Sequence, residues 1–267
     1  MKDLPLIIAH RGASALAPEN TFAAFQKAIE DGAEGIEFDV QLAKDGVPIV
    51  FHDFNLKRIA KIEKPVSSFT SAELQKLDIG TWFNLKNSHK ANEKFSAETV
   101  PTFVQLLDFL QDYKGLLYVE LKCKRTEIKL PVESVCQIIR ESKFLPRVKL
   151  KSFNLEAIKQ AKNLFPEITT VALFEPTMQT ILNKQAQIIE KAEAHLADEL
   201  SLHFSLATRK MIAKAKEKNF PVTIWTVDNP AWVKRAMNLG LYAVISNNPA
   251  RLLAKRSEIL RNNLISE

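Results

Sequence analysis

Cysteine is scarce in this chain of 267 residues: it has two, Cys123 and Cys136, and no Cys-x-x-Cys pair. Two cysteines do not establish a disulfide framework. Cys123 falls at the end of a predicted strand or just after it, and Cys136 falls inside a predicted helix, so we expect two reduced thiols with structural roles. A nucleophilic Cys123 is the alternative, and it would need a base beside it.

Long apolar runs are also missing. No segment approaches the run of about 18 apolar residues that crosses a bilayer. The first residues, Met1–Pro5, lead straight into a predicted strand without the basic and apolar regions of a secretory signal. No amphipathic membrane-surface segment stands out. We therefore expect a cytoplasmic protein without stable membrane association.

Charge of either sign is not concentrated in one segment. Lys and Arg number 37 against 31 Asp and Glu, which gives a formal net charge of +6, but no dense basic run is interleaved with aromatic residues. We therefore expect no nucleic-acid partner. The modest positive field favours the approach of a small anionic molecule.

Apolar runs typical of strands alternate with amphipathic helical segments. The predicted strands are Leu4–His10, Gly35–Leu42, Gly115–Lys122, Arg147–Phe153, Ile168–Phe174, a short segment near His195, Phe220–Val227 and Leu241–Ser246. The predicted helices are one that Asn20 or Thr21 caps and Gly32 ends, Thr102–Gln111, Pro131–Ser142, Asn154–Phe165, Thr177–Glu193, Thr208–Lys218, Pro230–Leu239 and one from about Pro249. Such alternation implies a parallel sheet. Eight units in this length favour a closed (β/α)8 TIM barrel of the α/β class, as a single domain over residues 1–267. An open doubly wound sheet is disfavoured because no Gly-x-Gly-x-x-Gly follows a strand.

Two features interrupt the alternation early in the chain. Val47–His52 is a second apolar run after the turn Lys44-Asp45-Gly46, and the resulting hairpin would carry His52 back toward the strand ends. Residues 54–98 are polar and irregular, with one short helix announced by the capping box of Thr70 and Glu73. We interpret residues 54–98 as an insertion or lid within the barrel.

Acidic residues lie at the ends of two predicted strands. Glu37 and Asp39 are two positions apart, so both side chains point to the same face of the strand, which in a barrel is the interior. Glu120 supplies a third carboxylate at another strand end. Buried carboxylates repel one another unless a cation lies between them. Hard oxygen ligands favour one Mg²⁺ or Ca²⁺ ion over Zn²⁺; a structural network with Lys or Arg is the alternative.

Two cations accompany these acids. Lys122 follows Glu120 at the same two-residue spacing, and Arg11 follows the first strand. Both could hold the non-bridging oxygens of a phosphate, where cations stabilise developing negative charge. A buried Glu120–Lys122 ion pair is the alternative, and the two interpretations are compatible.

Two histidines, His10 and His52, follow strands beside these groups and form a natural acid–base pair. We interpret His89, His195 and His203 as surface or packing residues. Asp53 either orients His52 or caps the loop, and the loop is slightly favoured.

Three further positions allow two interpretations each. Asn20 is either a helix cap or a site residue, and capping alone explains it. Trp225 and Phe153 either fill the barrel core or form a hydrophobic wall for a glycerol or alcohol group. Gly12 permits a tight turn after His10 and Arg11.

Taken together, the motifs resemble those of the glycerophosphodiester phosphodiesterases, a branch of the barrel phosphodiesterases that also includes phosphatidylinositol-type phospholipase C enzymes. The matching motifs are His10-Arg11-Gly12, Pro18-Glu19-Asn20-Thr21, Glu37-Phe38-Asp39-Val40, Lys44-Asp45-Gly46, His52-Asp53, Val100-Pro101-Thr102, Val119-Glu120-Leu121-Lys122, Ser152-Phe153 and Trp225-Thr226-Val227-Asp228. They span nearly the whole chain, although Thr177–Thr208 matches poorly.

The resemblance implies hydrolysis of glycerophosphodiesters, such as glycerophosphocholine or glycerophosphoethanolamine, to glycerol 3-phosphate and an alcohol. It implies a divalent cation on Glu37, Asp39 and Glu120, acid–base catalysis by His10 and His52, and phosphate contacts from Arg11 and Lys122. In related enzymes an adjacent substrate hydroxyl is thought to attack phosphorus and give a cyclic phosphate, and direct attack by water is the alternative. The implied setting is glycerol and lipid metabolism.

Two positions depart from the family pattern. Asp228 stands where an asparagine is often found, and Asn247 stands where the family usually has an aspartate before a proline-containing turn. The substrate pocket on that side is therefore expected to differ. Alternative functions are a lysophospholipase D, for which aromatic residues of the 54–98 insertion (Phe69, Trp82, Phe83, Phe95) would line an acyl groove, and a non-catalytic barrel that binds phosphate esters.

Overall fold

The structure is a computed structural model that describes residues 4–176 and 185–265. Within these ranges nine strands form one sheet: β1 (Leu6–His10), β2 (Gly35–Leu42), β3 (Pro48–Val50), β4 (Leu116–Leu121), β5 (Val148–Ser152), β6 (Thr169–Phe174), β7 (Glu199–His203), β8 (Val222–Trp225) and β9 (Ala243–Ser246). All pairings are parallel except that of β2 with β3, and the pairing of β1 with β2 closes eight strands into a barrel. The predicted (β/α)8 barrel is confirmed.

Helices surround the barrel. In the described ranges they are α1 (Phe22–Glu30), α2 (Lys57–Ala60), α3 (Ser71–Leu74), α4 (Thr81–Lys86), α5 (Phe103–Phe109), α6 (Lys129–Glu141), α7 (Leu155–Leu164), α8 (Gln185–Ala194), α9 (Arg209–Glu217), α10 (Ala231–Leu239) and α11 (Pro249–Ile265). The first residues of the helix predicted at Thr177–Glu193, 177–184, lie outside the described residues, and the remainder corresponds to α8. No helix in the described ranges combines the length and apolarity needed to cross a membrane.

The strand predicted near His195 was misplaced. His195 lies in the turn after α8, and β7 begins four positions later at Glu199. The reason is that β7 turns polar side chains into the barrel: Tyr118 donates to Glu199 Oε1 over 2.9 Å, while Leu200 packs outward with the helices. A strand with a polar inner face does not produce the apolar run that marks its neighbours.

The amino-terminal half of the barrel interior is filled, so the site can open only at the other end. Glu199 lies at the centre of this filling: it accepts hydrogen bonds from Tyr118 and from Thr223 Oγ1 (2.5 Å) and pairs with Lys149. Apolar side chains such as Ile8 complete this layer. The carboxyl ends of the strands are therefore the end of the barrel available for chemistry.

The predicted hairpin is present, and the segment after it contains more helix than the one short helix predicted. The turn between β2 and β3 has Gly46 at φ 77°, and the capping box of Thr70 and Glu73 is present. Residues 54–98 form short helices whose apolar side chains, such as Leu56 and Leu74, pack in one small cluster with Ile49 of β3 and Val100. Lys90 from this segment donates to the Ala15 carbonyl, 2.9 Å away, so the segment contacts the loop after β1.

We expect Gly12→Ala to destabilise the protein more than another glycine substitution at positive φ. Gly12 has φ 80°, and a Cβ there would lie 2.6 Å from the backbone carbon of Ala24. The left-handed backbone costs about 1–2 kcal/mol, and the clash adds about 1–3 kcal/mol. The free energy of unfolding in urea measures the loss. Gly46→Ala, at φ 77° with nothing within 4 Å, is the matched control; equal losses in the two variants would contradict the close approach.

Candidate active site

Three carboxylates meet at the carboxyl ends of β2 and β4. Glu37 and Asp39 point inward from β2, and Asp39 is paired in register with Glu120 of β4. All three side chains are buried, and one oxygen of each lies within 4.8 Å of the others. The two-residue spacing and the parallel register together therefore concentrate three negative charges in one place.

Three cations contact these acids. Lys122 Nζ lies 2.5 Å from Glu120 Oε1 and 3.3 Å from Asp39 Oδ1. Arg11 Nε lies 3.1 Å from Asp39 Oδ2. Lys151 of β5, which is only 2% exposed, has its Nζ 2.6 Å from Glu37 Oε1 and 3.4 Å from Glu120 Oε2. Sequence reasoning missed Lys151, although its register partner on β4 is Glu120.

The cations oppose the effect of burial on the pKa values of Glu37 and Asp39. Burial alone would raise the pKa of Asp39, but Arg11 and Lys122 outweigh it and hold that pKa below its ordinary value. Burial is opposed in the same way at Glu37, where Lys151 and His10 lower the pKa. The pKa of Lys151 is raised, because Glu37 and Glu120 outweigh the burial that would lower it. The cluster is therefore a set of charged groups that stabilise one another.

The same carboxylates fit a divalent cation. One oxygen of each, namely Glu37 Oε1, Asp39 Oδ1 and Glu120 Oε1, is buried, and no neutral donor of the described residues contacts it. Each of these oxygens lies beside a lysine ammonium. Three hard carboxylate oxygens that only cations contact are ligands suited to Mg²⁺ or Ca²⁺. The acidic cluster can therefore hold such an ion.

His10, at the end of β1, borders this cluster. Its Nε2 lies 3.9 Å from Glu37 Oε2, and its Nδ1 lies 2.7 Å from the amide oxygen of Asn247. Burial is the main cause of a lowered pKa at His10. The neighbouring Arg11 has φ 55°, and its backbone N–H donates to Glu37 Oε2 over 3.1 Å. The tight turn thus binds the loop after β1 to a site carboxylate.

His52 is oriented by a carboxylate. Its Nδ1 lies 2.6 Å from Asp53 Oδ1, so the interpretation of Asp53 as a loop cap was wrong. Arg58 contacts Asp53 Oδ2 at 2.7 Å and Glu19 Oε1 at 2.7 Å, and Glu19 also accepts from Arg11 at 2.8 Å. This chain of ion pairs links His52 to Arg11, which contacts the carboxylate cluster. Sequence reasoning gave no role to Glu19 or Arg58, because they are far apart in the chain: Glu19 precedes α1 and Arg58 lies in the short helix α2.

Asn20 also belongs to the site. Its Nδ2 donates to Asp39 Oδ2 over 3.0 Å, and its Oδ1 accepts from the Asp39 backbone N–H. Thr21 is the cap of α1, because its side chain accepts from the Ala24 N–H. Capping therefore does not explain Asn20, whose φ of 59° places its amide against the carboxylate instead.

Aromatic side chains form one wall at the mouth of the barrel. Trp225 makes edge contacts with Phe153 (ring centroids 5.6 Å apart) and with His203 (5.4 Å). Phe153 is 41% exposed, and Lys122 Nζ lies 5.9 Å from its ring centre. Phe153 is therefore not a core residue, and the wall adjoins a site cation. His203 packs in this wall, whereas His89 is exposed.

Both cysteines lie where the sequence predicts. Cys136 is buried in α6, and Cys123 is the second residue after β4. Burial raises the pKa of Cys136 to about 12 and also raises that of Cys123. Protonated thiols are poor nucleophiles, which supports structural roles for both.

Comparison with known proteins finds one consistent group. Residues 10–251 match the glycerophosphoryl diester phosphodiesterase family. A glycerophosphodiester phosphodiesterase from Caldanaerobacter subterraneus subsp. tengcongensis is 33% identical, with 93% of this chain and 96% of the relative covered. One from Bacillus subtilis is 28% identical, with 92% and 85% covered. Among solved structures, an Oleispira antarctica phosphodiesterase in complex with the product sn-glycerol-3-phosphate is 28% identical with a TM-score of 0.82, covering 95% of this chain and 97% of that one.

Proposed function

This chain belongs to the glycerophosphoryl diester phosphodiesterase family and is a phosphoric diester hydrolase. On that premise we propose that it hydrolyses glycerophosphodiesters, such as glycerophosphocholine or glycerophosphoethanolamine, to glycerol 3-phosphate and an alcohol. The observation that carries the proposal is the meeting of Glu37, Asp39 and Glu120 with cations and His10 at one end of the barrel. The product held by the Oleispira antarctica phosphodiesterase supports glycerol 3-phosphate as the product here.

Charge balance favours a divalent cation and an anionic substrate. Glu37, Asp39 and Glu120 would hold Mg²⁺ or Ca²⁺, whose charge would polarise phosphoryl oxygens and stabilise the transition state. The three carboxylates are balanced by the site cations Arg11, Lys122 and Lys151. The addition of an ion would leave the site positive, which favours a phosphodiester anion.

Arg11 and Lys122 are the proposed phosphate ligands. Both are slightly exposed, at 17% and 13% of their side chains, and both are already held by site carboxylates. Their ammonium and guanidinium donors are thereby positioned before substrate binds, which reduces the cost of ordering them. Trp225 and Phe153 would pack against the glycerol or alcohol carbons.

Hydrolysis forms one P–O bond and breaks another, so one proton leaves the attacking oxygen and another reaches the departing alcohol. The attacking oxygen belongs either to water or to the adjacent glycerol hydroxyl; the second route gives a cyclic phosphate that water then opens. Burial lowers the pKa of His10 and its Nδ1 contacts a neutral amide, so His10 suits the base. His52 contacts the Asp53 carboxylate, which stabilises an imidazolium, so His52 suits the acid.

The reaction is tested by release of glycerol 3-phosphate from glycerophosphocholine, with Mg²⁺, with Ca²⁺ and with a chelator. We expect release that depends on one of the ions and stops with the chelator, because the ligand cluster is otherwise closed by lysines. Release that is unaffected by the chelator would contradict the metal requirement. No release with either ion would contradict the proposed reaction.

The lysophospholipase D alternative would need an apolar groove. The insertion aromatics instead pack on one another: Phe83, 2% exposed, makes edge contacts with Trp82 and Phe95. This packing leaves the aromatic rings turned toward one another and favours a small polar substrate, with residues 54–98 as its proposed lid. Faster hydrolysis of lysophosphatidylcholine than of glycerophosphocholine would reverse that preference.

A non-catalytic barrel that binds phosphate esters is the second alternative. Binding requires only the cations and the ion, and it gives no reason to orient two histidines. His10 and His52 are nevertheless each held at Nδ1 by a dedicated partner. Their orientation favours catalysis over binding alone.

A further inference from the structure

The two positions that depart from the family pattern contact each other beside His10. The Asn247 Nδ2 donates to Asp228 Oδ2 over 2.7 Å, and the Asn247 backbone N–H donates to Asp228 Oδ1 over 2.8 Å. Ser246 Oγ also donates to Asp228 Oδ1, at 3.0 Å. These three hydrogen bonds all come from the end of β9. The carboxylate is thus fixed relative to the Asn247 amide.

Asp228 decides which way that amide faces. A carboxylate accepts hydrogen bonds and does not donate them, so the Asn247 NH2 group must face Asp228. The amide oxygen then faces His10 Nδ1, 2.7 Å away, and also accepts from Ser14 Oγ at 2.8 Å. Because that oxygen only accepts, Nδ1 of His10 must carry the hydrogen. Neutral His10 then has its lone pair on Nε2, the nitrogen that lies 3.9 Å from Glu37 in the metal cluster.

We propose that Asp228 and Asn247 form a positioning pair that fixes the tautomer of His10 and so presents an unprotonated Nε2 to the substrate. As a statement about catalysis, this inference rests on the proposed function. Neither residue touches the reacting atoms; both act through His10. The Asn247 amide stands between His10 and the Asp228 carboxylate. The negative charge therefore lies one side chain further from the histidine than in a direct contact.

The contacts predict that the two side chains can be exchanged. In the double variant Asp228→Asn/Asn247→Asp, the amide at position 228 can keep its oxygen toward Ser246 and donate its NH2 group to the carboxylate at position 247. That carboxylate can then accept from His10 Nδ1, so every hydrogen bond of the pair is retained. The single changes cannot do this. Asn247→Asp places two carboxylates against each other at the 2.7 Å contact between positions 247 and 228. Asp228→Asn places two amides at that contact. Asn247 can then turn its NH2 group toward His10, which favours the other tautomer of the histidine.

The test compares kcat and KM for glycerophosphocholine in the wild type, both single variants and the double variant. We expect each single change to lower kcat by about tenfold or more with little change in KM, and the double variant to recover most of the loss, as for residues in direct contact. Asn229→Asp is the control, because it adds a charge to the same loop and keeps the acceptor that bonds the Ala231 N–H. The proposal would be overturned if the two fold-losses in kcat multiply in the double variant, or if the single variants are as active as the wild type.

The ¹⁵N chemical shifts of the His10 ring test the tautomer without reference to activity. We expect a protonated Nδ1 in the wild type and a shift toward protonated Nε2 in Asp228→Asn. A wild-type protein protonated at Nε2 would overturn the inference even if the enzyme is active. Conversely, a wild type that hydrolyses no glycerophosphodiester but shows protonated Nδ1 would contradict the proposed function alone.

Discussion

His52→Ala is expected to lower kcat for glycerophosphocholine by about 100- to 10,000-fold, the usual contribution of a positioned acid or base. The affinity for glycerol 3-phosphate should change little, because Arg11 and Lys122 carry the proposed phosphate contacts and neither depends on His52 for its ion pairs. Product release assays give kcat, and calorimetric titration gives the dissociation constant.

The choice of leaving group separates the roles of the two histidines. A p-nitrophenyl ester of glycerol 3-phosphate releases a phenolate that departs without a proton. With that substrate, His52→Ala should recover most of its activity, whereas His10→Ala should stay impaired because the attacking oxygen must still lose a proton. Equal impairment of both variants on both substrates would contradict the assignment of His52 as the acid.

Asp53→Asn tests the contribution of the carboxylate charge that contacts His52. The amide keeps the shape of the carboxylate and removes the charge that stabilises an imidazolium. It should reduce kcat less than His52→Ala does, with the same dependence on the leaving group. Arg58 also contacts Asp53, at 2.7 Å, so a measurement of unfolding must accompany the assay to separate loss of fold from loss of function.

The parts of the site that sequence could predict are those fixed by strand periodicity. Glu37 and Asp39 had to share a face because side chains alternate along a strand, and the carboxyl ends of parallel strands meet at one edge. The parts that it missed depend on register and on loops. Lys151 reads as one of the alternating polar residues of a strand, and its burial follows only from the pairing of β5 with β4. Arg58 reaches Glu19 across 39 positions of sequence.

For other residues, a role within the local sequence was a sufficient explanation, so their contacts in the site were not predicted. Capping explained Asn20 sufficiently, so nothing in the sequence required the contact with Asp39 that the structure contains. Asp53 was assigned to the loop for the same reason. The polar inner face of β7 hid that strand because the apolar signal comes only from the side that packs on helices. Asn20 and the inner face of β7 serve partners on other strands, whereas Asp53 contacts the adjacent His52, an orientation that the sequence allowed but did not require.

Lys151→Met is expected to lower the free energy of unfolding of the metal-free protein and to raise the affinity for the metal ion. Lys151 is buried, and its Nζ contacts two of the three proposed ion ligands, Glu37 at 2.6 Å and Glu120 at 3.4 Å. Removal of one partner of a buried ion pair costs about 3–5 kcal/mol, so the free energy of unfolding should fall by that order in chelator. The freed carboxylates should bind Mg²⁺ or Ca²⁺ more tightly, because the lysine no longer competes for the same oxygens.

Lys149→Met separates this competition from the general cost of removing a buried lysine. Lys149 lies two positions earlier on β5 and pairs with Glu199 in the layer below, away from the three carboxylates. Both variants should be destabilised in chelator, but added ion should stabilise Lys151→Met more than the wild type and Lys149→Met only as much as the wild type, since a ligand that binds the folded state stabilises it according to its affinity. Titration calorimetry and urea unfolding with and without the ion measure the two effects. An unchanged or weaker metal affinity in Lys151→Met would mean that the lysine assists the ligands rather than competing with the ion.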